Sequence, residues 1–130
     1  MRQSSLAGFL FLLILVLGFS CKQSSFPYGE RLYTMHCADC HMDEGKGFAK
    51  LYPALNNSSI VDRIKEIPCI VNQGITDSTR LIKMLPMPDV SDVEITNIIN
   101  YIVQDINSSD KEIHLKEVQN LLANCSTENR

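Results

Sequence analysis

The chain has no basic run: its 12 Lys and Arg are scattered among 15 Asp and Glu, for a net charge of −3. Nothing in that balance could track a phosphate backbone, so no nucleic-acid partner is expected. Internal repeats, low-complexity blocks and the period-two alternation of strands are also missing, which leaves an all-α class. Nor is there an apolar run long enough to cross a bilayer comfortably. The run from Leu6 to Leu17 follows Arg2 and precedes small residues before Cys21, the order of an export signal over residues 1–20. An uncleaved anchor is the alternative. Removal of that signal takes Arg2 alone among the charges, so the net charge becomes −4 and enough chain remains for one small domain with one core. Export also places the five cysteines in an oxidising compartment, where spare thiols pair.

A second CxxC is absent. The only one is Cys37-Ala38-Asp39-Cys40, and His41 follows it directly. A structural zinc site needs four ligands, and Cys69 and Cys125 stand singly rather than as the missing pair. A thioredoxin-like dithiol needs a βαβ surrounding that the pattern does not supply. The remaining chemistry for CxxCH is c-type heme attachment, in which the thiols bond to the heme vinyl groups and the histidine binds iron. One helical turn suits it, because that spacing sets both sulfurs under the porphyrin edge and aims the next imidazole at the metal.

Residues 21–26 form a polar tether, and a helix is predicted from Pro27, with Tyr28, Leu32, Met35 and His36 near one face. The glycines, proline and Asn/Ser cluster between Met42 and Ser59 predict a long loop. Ile60 to Ile67 read as a brief helix stopped by Pro68, followed by another short helix and a turn at Gly74. Pro86 and Pro88 keep "MLPMPD" irregular. The clearest element begins at Ser91, which forms a capping box with Glu94; Ile95, Ile98, Ile99, Ile102, Val103 and Ile106 then recur at helical spacing. After "NSSDK", the positions of Leu115, Val118, Leu122 and Cys125 mark a last short helix on one face. The organisation is a domain over 27–106 and a C-terminal extension over 107–130 packed on it.

Gly29-Glu30-Arg31-Leu32-Tyr33 followed by Cys37-Ala38-Asp39-Cys40-His41 resembles the start of the small monoheme cytochromes c of mitochondria and bacteria, and the resemblance runs over residues 27–106. It implies the cytochrome c fold, three main helices around one covalently bound heme c. It implies that the first helix crosses the last main helix at Gly29, against the aromatic of Ile98-Ile99-Asn100-Tyr101; a plain loop glycine is the alternative. It assigns Pro53 a backbone carbonyl that receives the Nδ1–H of His41. It also places a methionine on the other side of the iron, in the loop "KMLPMPDVSDVEI". Counting back from Val90 selects Met84, while Leu85, standing where proline usually follows, keeps Met87 as the alternative. His36 adjoins the attached segment and His114 lies in a polar stretch, so neither is expected to ligate.

"LVLGFSC" resembles the lipobox of bacterial lipoproteins and makes Cys21 the expected lipid attachment site; ordinary cleavage after Gly18-Phe19-Ser20 would leave it a terminal thiol. Cys69 and Cys125 are then the even remainder, expected to pair as a disulfide, with two buried thiols as the alternative. The expected function is electron transfer between respiratory proteins, such as an oxidase or reductase complex, at the periplasmic side of a bacterial membrane. The protein is expected to be monomeric and not an enzyme: diheme peroxidases resemble this family but need two CxxCH motifs. A gas-binding heme sensor with a labile methionine is the alternative. Lys46, Lys50 and Lys83 read as solvated rather than as a docking patch.

Overall fold

The computed structural model describes residues 24–75 and 82–125. The export segment 1–20, Cys21, the stretch 76–81 after the Gly74 turn and residues 126–130 lie outside that range. Helix α1 spans Pro27–His36, with Pro27 in the first turn, where its missing N–H and fixed φ fit. Its buried face is Gly29, Leu32 and Tyr33; Tyr28, Met35 and His36, expected on that face, are exposed. The face is centred on a glycine, which a count of apolar side chains passes over. A single turn, α2 (Ala38–His41), follows a break at Cys37.

The long loop ends in α3 (Ser58–Asp62), and turns lead to α4 (Ile67–Gln73). Pro68 therefore opens a helix, contrary to the expectation that it stops one. Proline's absent donor is harmless in a first turn, and Pro68 is also buried there. Helix α4 closes at Gly74, as expected.

Helix α5 (Asp92–Asn100) starts with the expected capping box. The Glu94 N–H donates to Ser91 Oγ at 3.3 Å, and the Ser91 N–H donates to the Glu94 carboxylate at 2.9 Å. Ile95, Ile98, Ile99, Ile102 and Val103 form the buried stripe. Past Asn100 the helix widens to π-helical geometry over Tyr101–Ile106, closing with Asn107 N–H on Ile102 O at 3.1 Å. Among the described residues there are two isolated bridges and no strand, so the class is all-α.

Helices α1 and α5 cross at Gly29. A Cβ there would lie 2.2 Å from Asn97 O and 2.9 Å from Tyr101 Cβ. Only glycine permits that approach. Beside the crossing, the rings of Tyr33 and Tyr101 stand 5.4 Å apart, tilted at 53°, in the range of favourable aromatic pairs.

The C-terminal extension is packed on the domain. Residues 108–114 run without helix, and Ile113 is buried to 1% exposure. The Asn100 side-chain amide brackets that residue: Ile113 N–H donates to Oδ1 at 2.9 Å, and Nδ2 donates to Ile113 O at 3.0 Å. Both bonds are buried, so the pair replaces water for two backbone groups at once. Helix α6 (Leu115–Ala123) then buries Val118 fully. Leu115 is exposed, and Cys125 lies one residue past the C-cap Asn124, so the expected apolar face is shorter than its pattern.

Asp105 holds the tether. Its carboxylate accepts from Ser24 Oγ at 2.8 Å, Ser25 N–H at 2.9 Å and Phe26 N–H at 3.1 Å. Burial raises the carboxyl's pKa, but these donors outweigh it and hold it below its ordinary 3.8. A lowered carboxyl stabilises fully above the unfolded pKa and loses that contribution as pH falls through the folded one. Asp105→Asn should therefore cost about 1 kcal/mol near neutrality, discounted for partial exposure. Unfolding curves of the two proteins should converge in acid, below about pH 4; a gap unchanged by pH would exclude the charge as its cause.

Candidate heme site

The CxxCH segment is fixed by the end of α1. The Cys37 N–H donates to Tyr33 O and the His41 N–H to Cys37 O, both at 2.8 Å, so both cysteines and the histidine occupy one turn. Tyr33 is almost completely buried, and its hydroxyl donates to Met42 O at 2.8 Å, closing the turn from below. Burial, then the nearby Cys37, raises the phenol's pKa far beyond its ordinary value, so it remains a neutral donor. Cys37 is buried and Cys40 exposed. Burial, reinforced by Cys40, pushes the Cys37 thiol up to about 12.

His41 is half-buried, and its Nδ1 lies 2.8 Å from Pro53 O. A carbonyl only accepts, so Nδ1 carries the proton and Nε2 keeps its lone pair for a metal. The bond also makes the imidazole a stronger donor to that metal. That tautomer, one turn beyond two cysteines, fits a c-type heme.

Gly47 is what the sequence reading missed. Its φ is +66°, its N–H donates to His41 O at 2.9 Å, and a Cβ on it would meet Tyr52 O at 2.4 Å and Pro53 C at 2.7 Å. The loop can bring Pro53 to His41 only because this residue has no side chain. Two glycines flanking Lys46 were the available signal; their partner twelve residues beyond His41 was not.

Met84 and Met87 are both half-buried against the core. Met84 O accepts from Ile75 N–H at 2.9 Å, and Met87 N–H donates to Val71 O at 3.0 Å. Between them, Leu85 is 75% exposed. His36 and His114 are exposed. Lys46, Lys50 and Lys83 are exposed too, with Lys46 ion-paired to Glu44. Cys69 and Cys125 form a disulfide, which removes them from any metal set.

The family model for cytochrome c matches residues 27–104. The chain belongs to the cytochrome c family. That family binds heme c covalently, and with a single CxxCH this cytochrome takes one heme. The match runs from the first residue of α1 into the π-helical turn and leaves the disulfide-bonded extension outside it. No curated protein sequence matches the chain. Its family carries electrons on heme, and family membership is what this cytochrome's electron-carrier function rests on.

Proposed function

We propose that this cytochrome shuttles single electrons between respiratory proteins at the outer face of a bacterial membrane, held there by a lipid on Cys21. The observation that carries the reading is the 2.8 Å contact between His41 Nδ1 and Pro53 O beside the cysteine turn. Cys37 and Cys40 would hold the heme, His41 Nε2 would be one axial ligand and the Met84 thioether the other. When bound, heme c supplies a one-electron ferric/ferrous couple, and a thioether ligand favours the ferrous state.

The chain's own part is to hold those side chains still. His41 is tied to Pro53, whose loop is fixed by Gly47; the methionine loop is tied by Ile75 and Val71. Ligands that need not move between redox states suit a carrier, and two filled positions leave no place for a substrate. The carboxylates outnumber the basic groups, so a partner with a basic face would be steered toward this surface at low salt. Among the described residues no helix is long and apolar enough to cross a membrane; a lipid on Cys21 would supply the attachment on this reading.

Reconstitution tests the whole reading. Membranes from cells lacking this cytochrome should regain respiratory electron flow when the mature protein is added. Cys21→Ser protein should be found in the soluble fraction with an unchanged visible spectrum. If the added protein restores nothing and its ferrous form binds CO readily without any substitution, the sensor reading replaces the carrier.

A further inference from the structure

Helix α4 has only seven residues, too few to hold a helix by itself in water. Its place in the molecule therefore depends on what grips it from outside. One side is gripped by the C-terminal extension. Cys69, in its first half, is disulfide-bonded to Cys125, and Gln73 Nε2 donates to Cys125 O at 3.4 Å. Helix α6 packs along it as well.

The C-terminal end of α4 does the gripping. Val71 O holds the Met87 N–H at 3.0 Å, and Ile75, just past the closing glycine, holds Met84 O at 2.9 Å. Cys69 sits in the first half of α4, whereas the Val71 carbonyl is one of the last four of the helix, which have no partner within it and are free to accept from outside. The chain of contacts is continuous: extension, disulfide, α4, methionine loop. Nothing in the match to the family model extends to its first link, because residues 105–130 fall outside it.

We propose that Cys69 and Cys125 are positioning residues for the methionine loop: the disulfide anchors α4, and α4 sets how firmly the axial thioether resists an incoming ligand. The inference rests on the His41/Met84 reading above. It gives the extension a purpose that a general staple would not need, since the bond lands on the short helix whose C-terminal end and the residue just past its closing glycine hold the two methionines.

The decisive measurement is amide hydrogen exchange on the holoprotein, with added imidazole as a competing ligand. In C69S/C125S, the amides of Ile75 and Met87 should exchange about tenfold faster relative to that of Ile99 in α5, as expected for local rather than global opening. The imidazole concentration that displaces the thioether should fall by a similar factor. Asp105→Asn, which loosens the tether instead, should leave both ratios unchanged. Equal acceleration of all three amides would make the disulfide a global stabiliser only and overturn the proposal. So would unchanged imidazole displacement.

If the serine variant does not mature, the disulfide of the finished protein can be opened with a phosphine. The phosphine becomes its oxide with oxygen from water, the two sulfurs become thiols, and the heme thioethers are untouched. The same exchange ratio then decides. An unmodified protein without a methionine-to-iron band would refute thioether ligation, while the exchange ratio would still report whether the bond anchors the loop.

Discussion

Gly29→Ala is expected to destabilise this cytochrome by about 3 kcal/mol, the upper end for overpacking a well-packed core. The added methyl would sit 2.2 Å from Asn97 O and 2.9 Å from Asn97 C, and both are backbone of the opposing helix. A side chain could rotate away; backbone cannot, so α1 and α5 must separate along the whole crossing. Separation would open the Tyr33–Tyr101 contact and the turn that presents Cys37 and His41. For a domain of this size the loss corresponds to a fall in melting temperature of roughly 15 °C. Thermal and urea unfolding of the holoprotein measure it. Thr34→Ala, on the exposed side of the same helix, should change stability by less than about 0.5 kcal/mol. If the two variants melt together, the crossing is not the close one described.

What the sequence made legible divides along physical lines. The last main helix was readable because its signals are local: a Ser-x-x-Glu cap and isoleucines at regular spacing need no knowledge of the rest of the chain. Its π-helical end was not. That widening is completed by Asn107, whose side chain donates both to Ile102 O and to Leu55 O at 2.8 Å, a partner 52 residues away. Pro68 was misplaced for a related reason. Proline marks a helix boundary in either direction, and only the packing of α4 decides which side the helix lies on.

The site shows the same division. Cysteine spacing announced the attachment turn, and the pairing of Cys69 with Cys125 followed from counting thiols in an oxidising compartment. Gly47 and Asn100 carried no such mark. One earns its place by letting Pro53 approach His41, the other by bracketing Ile113, and each partner is remote in sequence. Apolar patterning cannot find either, since a glycine and an asparagine read as loop and surface. On the proposed ligation, which methionine would face the iron is the same kind of question, because both are half-buried and both are tied by backbone bonds.

Met84→Ala should therefore separate the two, and its effect on the heme is expected to be the largest of any single substitution outside the attachment turn. Thioether bound to ferric low-spin heme gives a weak charge-transfer band in the far red, which this cytochrome should show. Met84→Ala should abolish the band, open the ferrous iron to CO, and lower the potential by on the order of 0.2 V, a fraction of the range that axial ligands span. Met87→Ala should keep the band and exclude CO, with at most a cavity cost of about 2 kcal/mol from its half-buried side chain. The comparison is clean because neither substitution removes a backbone anchor. Ile75 still holds residue 84 by its carbonyl, and Val71 still holds residue 87 by its N–H. The two variants thus differ only in which sulfur is missing. Reversed behaviour would assign the ligand to Met87, within the same loop and tied to α4 through Val71.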